Sequence, residues 1–376
     1  MDIFLDNIVF QLQRLGGISV YWSELLKRIS NDNNDYQLIE NKINSYNIFR
    51  DQLIFDNNKI ILEKSPVVFN RYLPKTLHNF KDGIFHSSYY RYCDNDAIAN
   101  VITVYDFMYE HFQRGIKRNI HSIHKGLAIK KADGIICISE STKRDLLSFY
   151  PSLDENKIKV IHLGVSHQFY KLEKSIASDY HNISKLISGK YILFISYRAE
   201  YKNFNMVVEA LKLLPDFNLI LVGGGPLTKS ELIILDNKLK NRYTHLDAVK
   251  TSDLNALYNF AYCLLYPSGY EGFGLPILEA MKTGCPVICN SVSSIPEVAG
   301  NAGIMISDID TDKIIDKIKQ LENLEYREKV IQLGYKQSSK FSWDKTYNQT
   351  IDFYKEIYAN KKIKAKLTES SAKEKS

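Results

Sequence analysis

Short β-branched and aromatic runs alternate with longer amphipathic stretches along most of the chain, and turn residues separate them. In the first half this pattern predicts strands at about Asp2–Leu5, Gly83–His86, Val101–Tyr105, Gly134–Ile138 and Lys159–Leu163. A Gly16-Gly17 turn leads from the first strand into an amphipathic helix from about Ser19 to Ile29. Between Val165 and Lys190 the periodicity fails, and polar residues such as Ser175, Ser178, Asn182 and Ser188 mark a domain boundary. A second series then predicts strands at about Tyr191–Ser196, Leu219–Val222, Tyr243–Leu246, Cys263–Tyr266, Pro286–Cys289 and Gly303–Ile306, with helical segments between them. The last periodic element runs from about Trp343 to Tyr358.

Strands that alternate with helices belong in parallel sheets covered on both faces. The expected fold class is therefore α/β, with two doubly wound, Rossmann-like domains over residues 1–170 and 171–342. A length of 376 residues suits two domains of about 150–200 residues. Two lobes imply a cleft between them. After residue 360 the chain is rich in lysine and serine with almost nothing to bury, so residues 361–376 are expected to form a disordered basic tail.

Charge and cysteine content narrow the function classes. The formal net charge of +6 is modest, and no basic arm or nucleic-acid motif accompanies it, so nucleic acid is not an expected partner. The charge suits phosphate-bearing ligands, and it permits peripheral contact with an anionic membrane surface. Cys93, Cys137, Cys263, Cys285 and Cys289 are odd in number and contain no C-x-x-C pair, which favours a reducing compartment. No apolar run reaches the length of a membrane span, and Met1-Asp2-Ile3-Phe4 lacks the basic start of a secretion signal, so the expected location is cytoplasmic.

The most informative chemistry lies in Pro267-Ser-Gly-Tyr-Glu271-Gly-Phe-Gly-Leu-Pro276-Ile-Leu-Glu279-Ala-Met-Lys, which follows a strand and opens a helix. Gly272 and Gly274 allow close backbone approach, and Pro276 fits the first helical turn, where a missing N–H costs nothing. The positive end of such a helix suits a diphosphate. Glu271 and Glu279, with seven residues between them, are suited to vicinal hydroxyls rather than to phosphate; one can grip a sugar and the other a ribose. Alone, either glutamate reads better as a solvated residue at a strand-to-helix turn.

This stretch resembles the E-x7-E signature of family 4 glycosyltransferases, which have the GT-B fold: two Rossmann-like domains facing a central cleft. The resemblance implies that Glu271 contacts donor-sugar hydroxyls, that the amides of Gly272, Phe273, Gly274 and Leu275 contact sugar and phosphate, and that Glu279 holds the ribose. Phe194-Ile-Ser-Tyr-Arg198-Ala-Glu-Tyr-Lys202-Asn203-Phe204 is similar to the family's basic loop, in which Arg198 and Lys202 would stabilise charge developing on a leaving nucleoside diphosphate. Their separation is one residue shorter than in the commonest family pattern, so Lys202 aligns while Arg198 can be displaced.

Leu15-Gly16-Gly17-Ile18-Ser19 resembles the family's N-terminal glycine loop, which faces donor phosphate and acceptor, and Gly223-Gly224-Gly225-Pro226 looks like its strand-end turn near the nucleotide. Tyr105 and Asp106 end a strand where many relatives carry a histidine in place of Tyr105, and a tyrosine hydroxyl could bond a sugar oxygen there. His86 reads as a structural histidine and Ser139 as an N-cap. In relatives a closing helix, here residues 343–360 with Trp343, packs back on the first domain.

The resemblance implies retaining transfer of a hexose from a nucleotide-sugar, with the leaving phosphate accepting the acceptor's proton. No cofactor and no divalent metal are expected; Asp94-Asn-Asp96 and Asp308-Ile-Asp310 read as turns. The Tyr201-Lys202-Asn203-Phe204 variant resembles a subset assigned to mannosyl or related GDP-hexose transfer in bacterial surface-polysaccharide pathways, with a glycan or lipid-linked oligosaccharide as acceptor. A UDP-hexose donor is the alternative, and so, from a different class, is a non-catalytic sugar-nucleotide- or glycan-binding subunit.

Overall fold

The computed structural model describes residues 1–32, 34–41, 47–63, 67–173, 180 and 183–373, without the side chains of residues 68, 69, 117, 368, 369 and 371–373. The chain divides into two compact units, one of residues 1–163 with 343–376, the other of residues 164–342.

The described residues of the first unit hold seven strands: β1 (Ile3–Asp6), β2 (Tyr36–Asn41), β3 (Ile60–Glu63), β4 (Gly83–Ser87), β5 (Ile98–Val104), β6 (Gly134–Cys137) and β7 (Ile158–Val160). They form one parallel sheet in the order β3-β2-β1-β4-β5-β6-β7. Every residue of β1, β4, β5 and β6 is buried, which is why these segments read as continuous apolar runs. β2 and β3 escape sequence reading because they lie towards the sheet edge and are mostly half-buried; β2 wraps polar Gln37, Glu40 and Asn41 around a buried Leu38-Ile39.

The second unit holds β8 (Tyr191–Ile195), β9 (Asn218–Val222), β10 (Tyr243–Leu246), β11 (Cys263–Tyr266), β12 (Val287–Asn290) and β13 (Ile304–Ile306), parallel in the order β10-β9-β8-β11-β12-β13. Helix Phe204–Lys212 places Val207, Val208 and Leu211 against Ile192, Leu219 and Leu265 of this sheet. The chain order reverses between β1 and β4 in the first sheet and between β8 and β11 in the second. Loops at the carboxyl ends of such neighbours diverge and leave a crevice for ligand.

Two boundaries differ from sequence reading. The second unit begins at Gly164 rather than near residue 171, because the connecting segment is tied to it. Tyr170 N and Leu172 N donate to the side chains of Asn255 and Asn259 at 3.0 and 2.7 Å, Lys282 Nζ reaches Ser166 O at 3.0 Å, and Phe169 stacks edge-on against Tyr258. Ser175, Ser178 and Asn182 lie outside the described residues.

The last helix spans Trp343–Lys373, so most of the segment expected to be a disordered tail is helical; residues 374–376 lie outside the described part. Past Tyr358 the sequence contains no glycine or proline and is rich in lysine and alanine, both good helix formers. Lys361 pairs with Asp133 at 3.1 Å and Lys362 with Asp82 at 3.2 Å. Earlier turns of the helix pack within the first unit through Phe353, Tyr354 and Ile357, and a Cβ at Gly134 would lie 2.7 Å from Ile357 Cγ1. Among the described residues, no helix is long and apolar enough to cross a membrane.

Candidate active site

In the second unit, the loops leaving β8 and β11 are stitched together. The β8 loop closes in a 3-10 turn, Glu200–Lys202, and passes through Asn203 in the left-handed region (φ 55°) before helix Phe204–Lys212 begins. Gly269 N donates to Tyr201 O at 2.6 Å, and Asn203 Nδ2 donates to Pro267 O at 2.8 Å. This seam sets Lys202 beside Glu271, and Lys202 Nζ donates to Glu271 Oε1 at 2.6 Å. The two side chains are 9% and 12% exposed, so the pair is nearly closed off yet reachable. Tyr266, at the end of β11, also bonds the Glu271 carboxylate; burial and then that carboxylate hold its phenol well above the ordinary range.

The β12 loop supplies the third support. Glu271 N donates to Ser293 Oγ at 2.9 Å, while Ser294 Oγ donates to the carbonyls of Glu271 and Phe273 at 2.9 and 3.0 Å. Phe273 is buried edge-on against Phe341, anchoring the loop by its side chain and leaving Gly272, Gly274 and Leu275 to act through their backbone. Gly274 sits at φ 108°, where an added Cβ would also meet Ile277 Cδ1 at 3.1 Å. It opens helix Leu275–Thr283, which has Pro276 in its first turn and no side-chain cap. The positive end of this helix therefore faces the loop that carries Glu271.

Glu279 lies in the same helix. Tyr258, on helix Thr251–Phe260, donates its hydroxyl to Glu279 Oε2 at 2.7 Å. Burial dominates there and pushes the Glu279 carboxyl up to about 7. A group so placed accepts a hydroxyl hydrogen bond in either protonation state.

Arg198 engages the turn that follows β9. Its guanidinium donates to Glu231 Oε1 at 2.9 Å and to the carbonyls of Gly223, Gly224, Gly225 and Pro226 at 2.7–3.1 Å. Gly223, Gly224 and Gly225 all take positive φ, 72–81°, which turns their carbonyls onto this one cation. The side chain is 4% exposed. Arg198 thus braces the turn after β9 instead of standing as an open cation beside Lys202. The four-residue spacing that separates it from Lys202 carries it across to the β9 side.

The residues expected on the acceptor side lie in the first unit. Gly16 precedes helix Gly17–Asn31 with an extended backbone, and a Cβ there would strike Gln13 Oε1 at 2.5 Å; Gln13 and Asn47 both bond Ser19 in the first turn. Gly17 is the first residue of that helix. Tyr105 engages its hydroxyl within the fold. It is 4% exposed, donates to Ser88 O at 3.1 Å, and packs on Tyr21 and Tyr90, because β5 ends beneath these aromatics. Asp106 is partly exposed; its Oδ1 accepts from Met108 N and its carbonyl from the buried Lys125. His86 is buried between Tyr354 and Thr103, and burial lowers it to about 3, so it is a neutral structural residue. Ser139 caps helix Glu140–Phe149 by accepting from Thr142 N, and Asp310 caps helix Thr311–Gln320 by accepting from Lys313 N.

Sequence reading missed Tyr258, Tyr266, Ser293 and Ser294. For Tyr266 and the two serines the signal was present only as position, a tyrosine ending β11 at the strand-order reversal and a polar run following the neighbouring β12; Tyr258, on a helix, carried none.

Comparison with known proteins bears on the family and the fold. A family described as "Glycosyltransferase Family 4" matches residues 15–169, and one described as "Glycosyl transferases group 1" matches residues 179–337. The chain is 28% identical over 370 residues to O-antigen chain mannosyltransferase B of Escherichia coli, covering 91% of this chain and 96% of that one. Among solved structures, sucrose-phosphate synthase from Thermosynechococcus elongatus superposes with a TM-score of 0.75 at 16% identity, covering 96% of this chain and all of that one. Anabaena HepE in complex with UDP and glucose superposes with a TM-score of 0.70 at 17% identity, covering 93% and 98%. These likenesses show the GT-B fold of two Rossmann-like domains, and with both parts of the chain matched by family descriptions the protein belongs to glycosyltransferase family 4.

Proposed function

We propose that the protein is a retaining hexosyltransferase of surface-polysaccharide biosynthesis, using GDP-mannose or a related GDP-hexose and a glycan or lipid-linked oligosaccharide acceptor. The observation that carries the reading is the Lys202–Glu271 pair at the mouths of β8 and β11. Each group satisfies the other. A nucleotide-sugar offers both a better partner: diphosphate oxygens for the ammonium, and vicinal sugar hydroxyls for the carboxylate.

As the glycosidic bond breaks, negative charge grows on the leaving diphosphate. Lys202 and the positive N-terminal end of helix Leu275–Thr283 stabilise that charge more than they stabilise the ground state. A leaving phosphate oxygen on the same face takes the acceptor hydroxyl's proton, and the new glycosidic bond forms on the face the nucleotide leaves. Glu279 and Tyr258 hold the ribose. No cofactor and no divalent ion is needed for this step, since the cation and the helix end supply the electrostatic stabilisation.

The preference for mannose rests on the similarity to an O-antigen mannosyltransferase and on the Tyr201-Lys202-Asn203-Phe204 loop. Nucleoside diphosphate release, followed with GDP-mannose and UDP-glucose in parallel with and without a mannosylated glycolipid acceptor, tests it. Selective turnover of GDP-mannose supports the reading, and selective turnover of UDP-glucose replaces the donor. Nucleotide binding without turnover of either, with acceptor present, favours a binding subunit.

A further inference from the structure

Helix Ile116–Lys131 in the first unit is turned inside out relative to an ordinary surface helix. Its inward face is fully committed: His124, Lys125, Ala128 and Ile129 are buried, and Lys125 Nζ bonds Asp106 O and Glu110 Oε2 over the Phe107 ring. Its outward face carries Ile116, Ile120, Ile123 and Leu127, which are 77%, 47%, 65% and 47% exposed. Their 4-3-4 spacing places all four on one stripe. Phe112, just before the helix, and Tyr72, edge-on to His124, are exposed as well. Soluble chains rarely leave so contiguous an aliphatic stripe in water without a partner for it.

The charge around the stripe selects the partner. From Phe112 to Lys131 there are six lysines and arginines and no acidic residue; apart from buried Lys125, they lie just before or in the first turn of the helix (Arg114, Lys117, Arg118) and at its end (Lys130, Lys131). A second copy of this face would be repelled by the same charges. An anionic lipid surface meets both requirements, taking aliphatic side chains at the acyl boundary and lysines and arginines at the headgroups.

We propose that this helix is the protein's membrane-docking face, lying in the plane of an anionic phospholipid surface. It stands independently of the donor assignment, because docking requires no nucleotide.

Sedimentation with vesicles of phosphatidylcholine, with and without phosphatidylglycerol, tests it on the full chain. The protein should bind the phosphatidylglycerol vesicles and release as salt rises. Ile120→Asp with Ile123→Asp should weaken binding by about tenfold or more, since charged groups replace buried aliphatics. Leu324→Asp, at an exposed leucine of the other unit, should leave it unchanged. Ile116→Asp with Leu127→Asp is a second pair from the same stripe, and unchanged melting curves check the fold of each variant. Binding that survives in both pairs overturns the proposal, as does wild-type protein that ignores phosphatidylglycerol. A concentration-dependent dimer dissolved by the same substitutions, without vesicle uptake, overturns it in favour of a second copy.

Discussion

The Tyr258 hydroxyl lies 2.7 Å from Glu279 Oε2, joining two neighbouring helices through a carboxyl group that burial holds near neutrality. Between its ordinary value of 4.5 and about 7, Glu279 keeps a proton in the folded chain that the unfolded chain has lost. The folded state then binds more protons, so stability falls as pH rises through this window. Partial solvent access limits the effect to roughly 1–2 kcal/mol. Glu279→Gln should therefore melt like wild type near about pH 5 and above it near about pH 8, as read by thermal unfolding. If Glu279 also holds the ribose, the same variant binds nucleoside diphosphate more weakly.

The Lys202–Glu271 pair calls for paired substitutions. Removing one partner leaves a mostly buried charge without its counter-ion, so Glu271→Ala should cost about 1–3 kcal/mol of stability as well as activity. Glu271→Gln keeps the shape and should lower kcat by about a hundredfold or more with only a small change in Tm. Combining Lys202→Met with Glu271→Gln should destabilise by less than the sum of the single changes, which chemical denaturation of all four proteins measures. Lys202→Ala should weaken nucleoside diphosphate binding about tenfold in calorimetry; unchanged affinity would remove Lys202 from the phosphate site.

Arg198 offers a test of bracing against direct contact. Arg198→Lys keeps the charge but cannot span Glu231 and four carbonyls. A bracing role predicts a loss of about 1–3 kcal/mol in stability and a raised donor KM with kcat largely kept. A fall in kcat at unchanged KM would instead put the guanidinium on the leaving phosphate.

The last helix can be loosened at Gly134. Gly134→Ala sets a Cβ within 2.7 Å of Ile357 and 3.0 Å of Phe353, both from that helix. Overpacking here should destabilise by about 1–3 kcal/mol. Hydrogen exchange should rise first in residues 343–373, and exchange no faster there than in wild type would show that the helix accommodates the methyl group.

Much of this was legible in sequence because it depends on local pattern. The buried runs of β1, β4, β5, β6 and β11 announce parallel strands, and Gly274 with Pro276 announces a strand-to-helix turn that only glycine and proline suit. β2 and β3 were not legible, since a half-exposed strand near an edge mixes polar and apolar residues. The helix past Tyr358 was misread because composition reports what a segment can bury, and Lys361 and Lys362 are held by ion pairs instead.

By itself the sequence determined two parallel α/β halves and the residues that line the end of β11, since strand, turn and helix preferences act over a few neighbouring residues. Tertiary structure alone decided which charges meet. Lys202 finds Glu271 across 69 positions, Arg198 is drawn to carbonyls 25 to 28 positions away, and Tyr105 turns its hydroxyl to Ser88. Such partners are chosen by strand order and burial, which bring together loops that no local spacing connects.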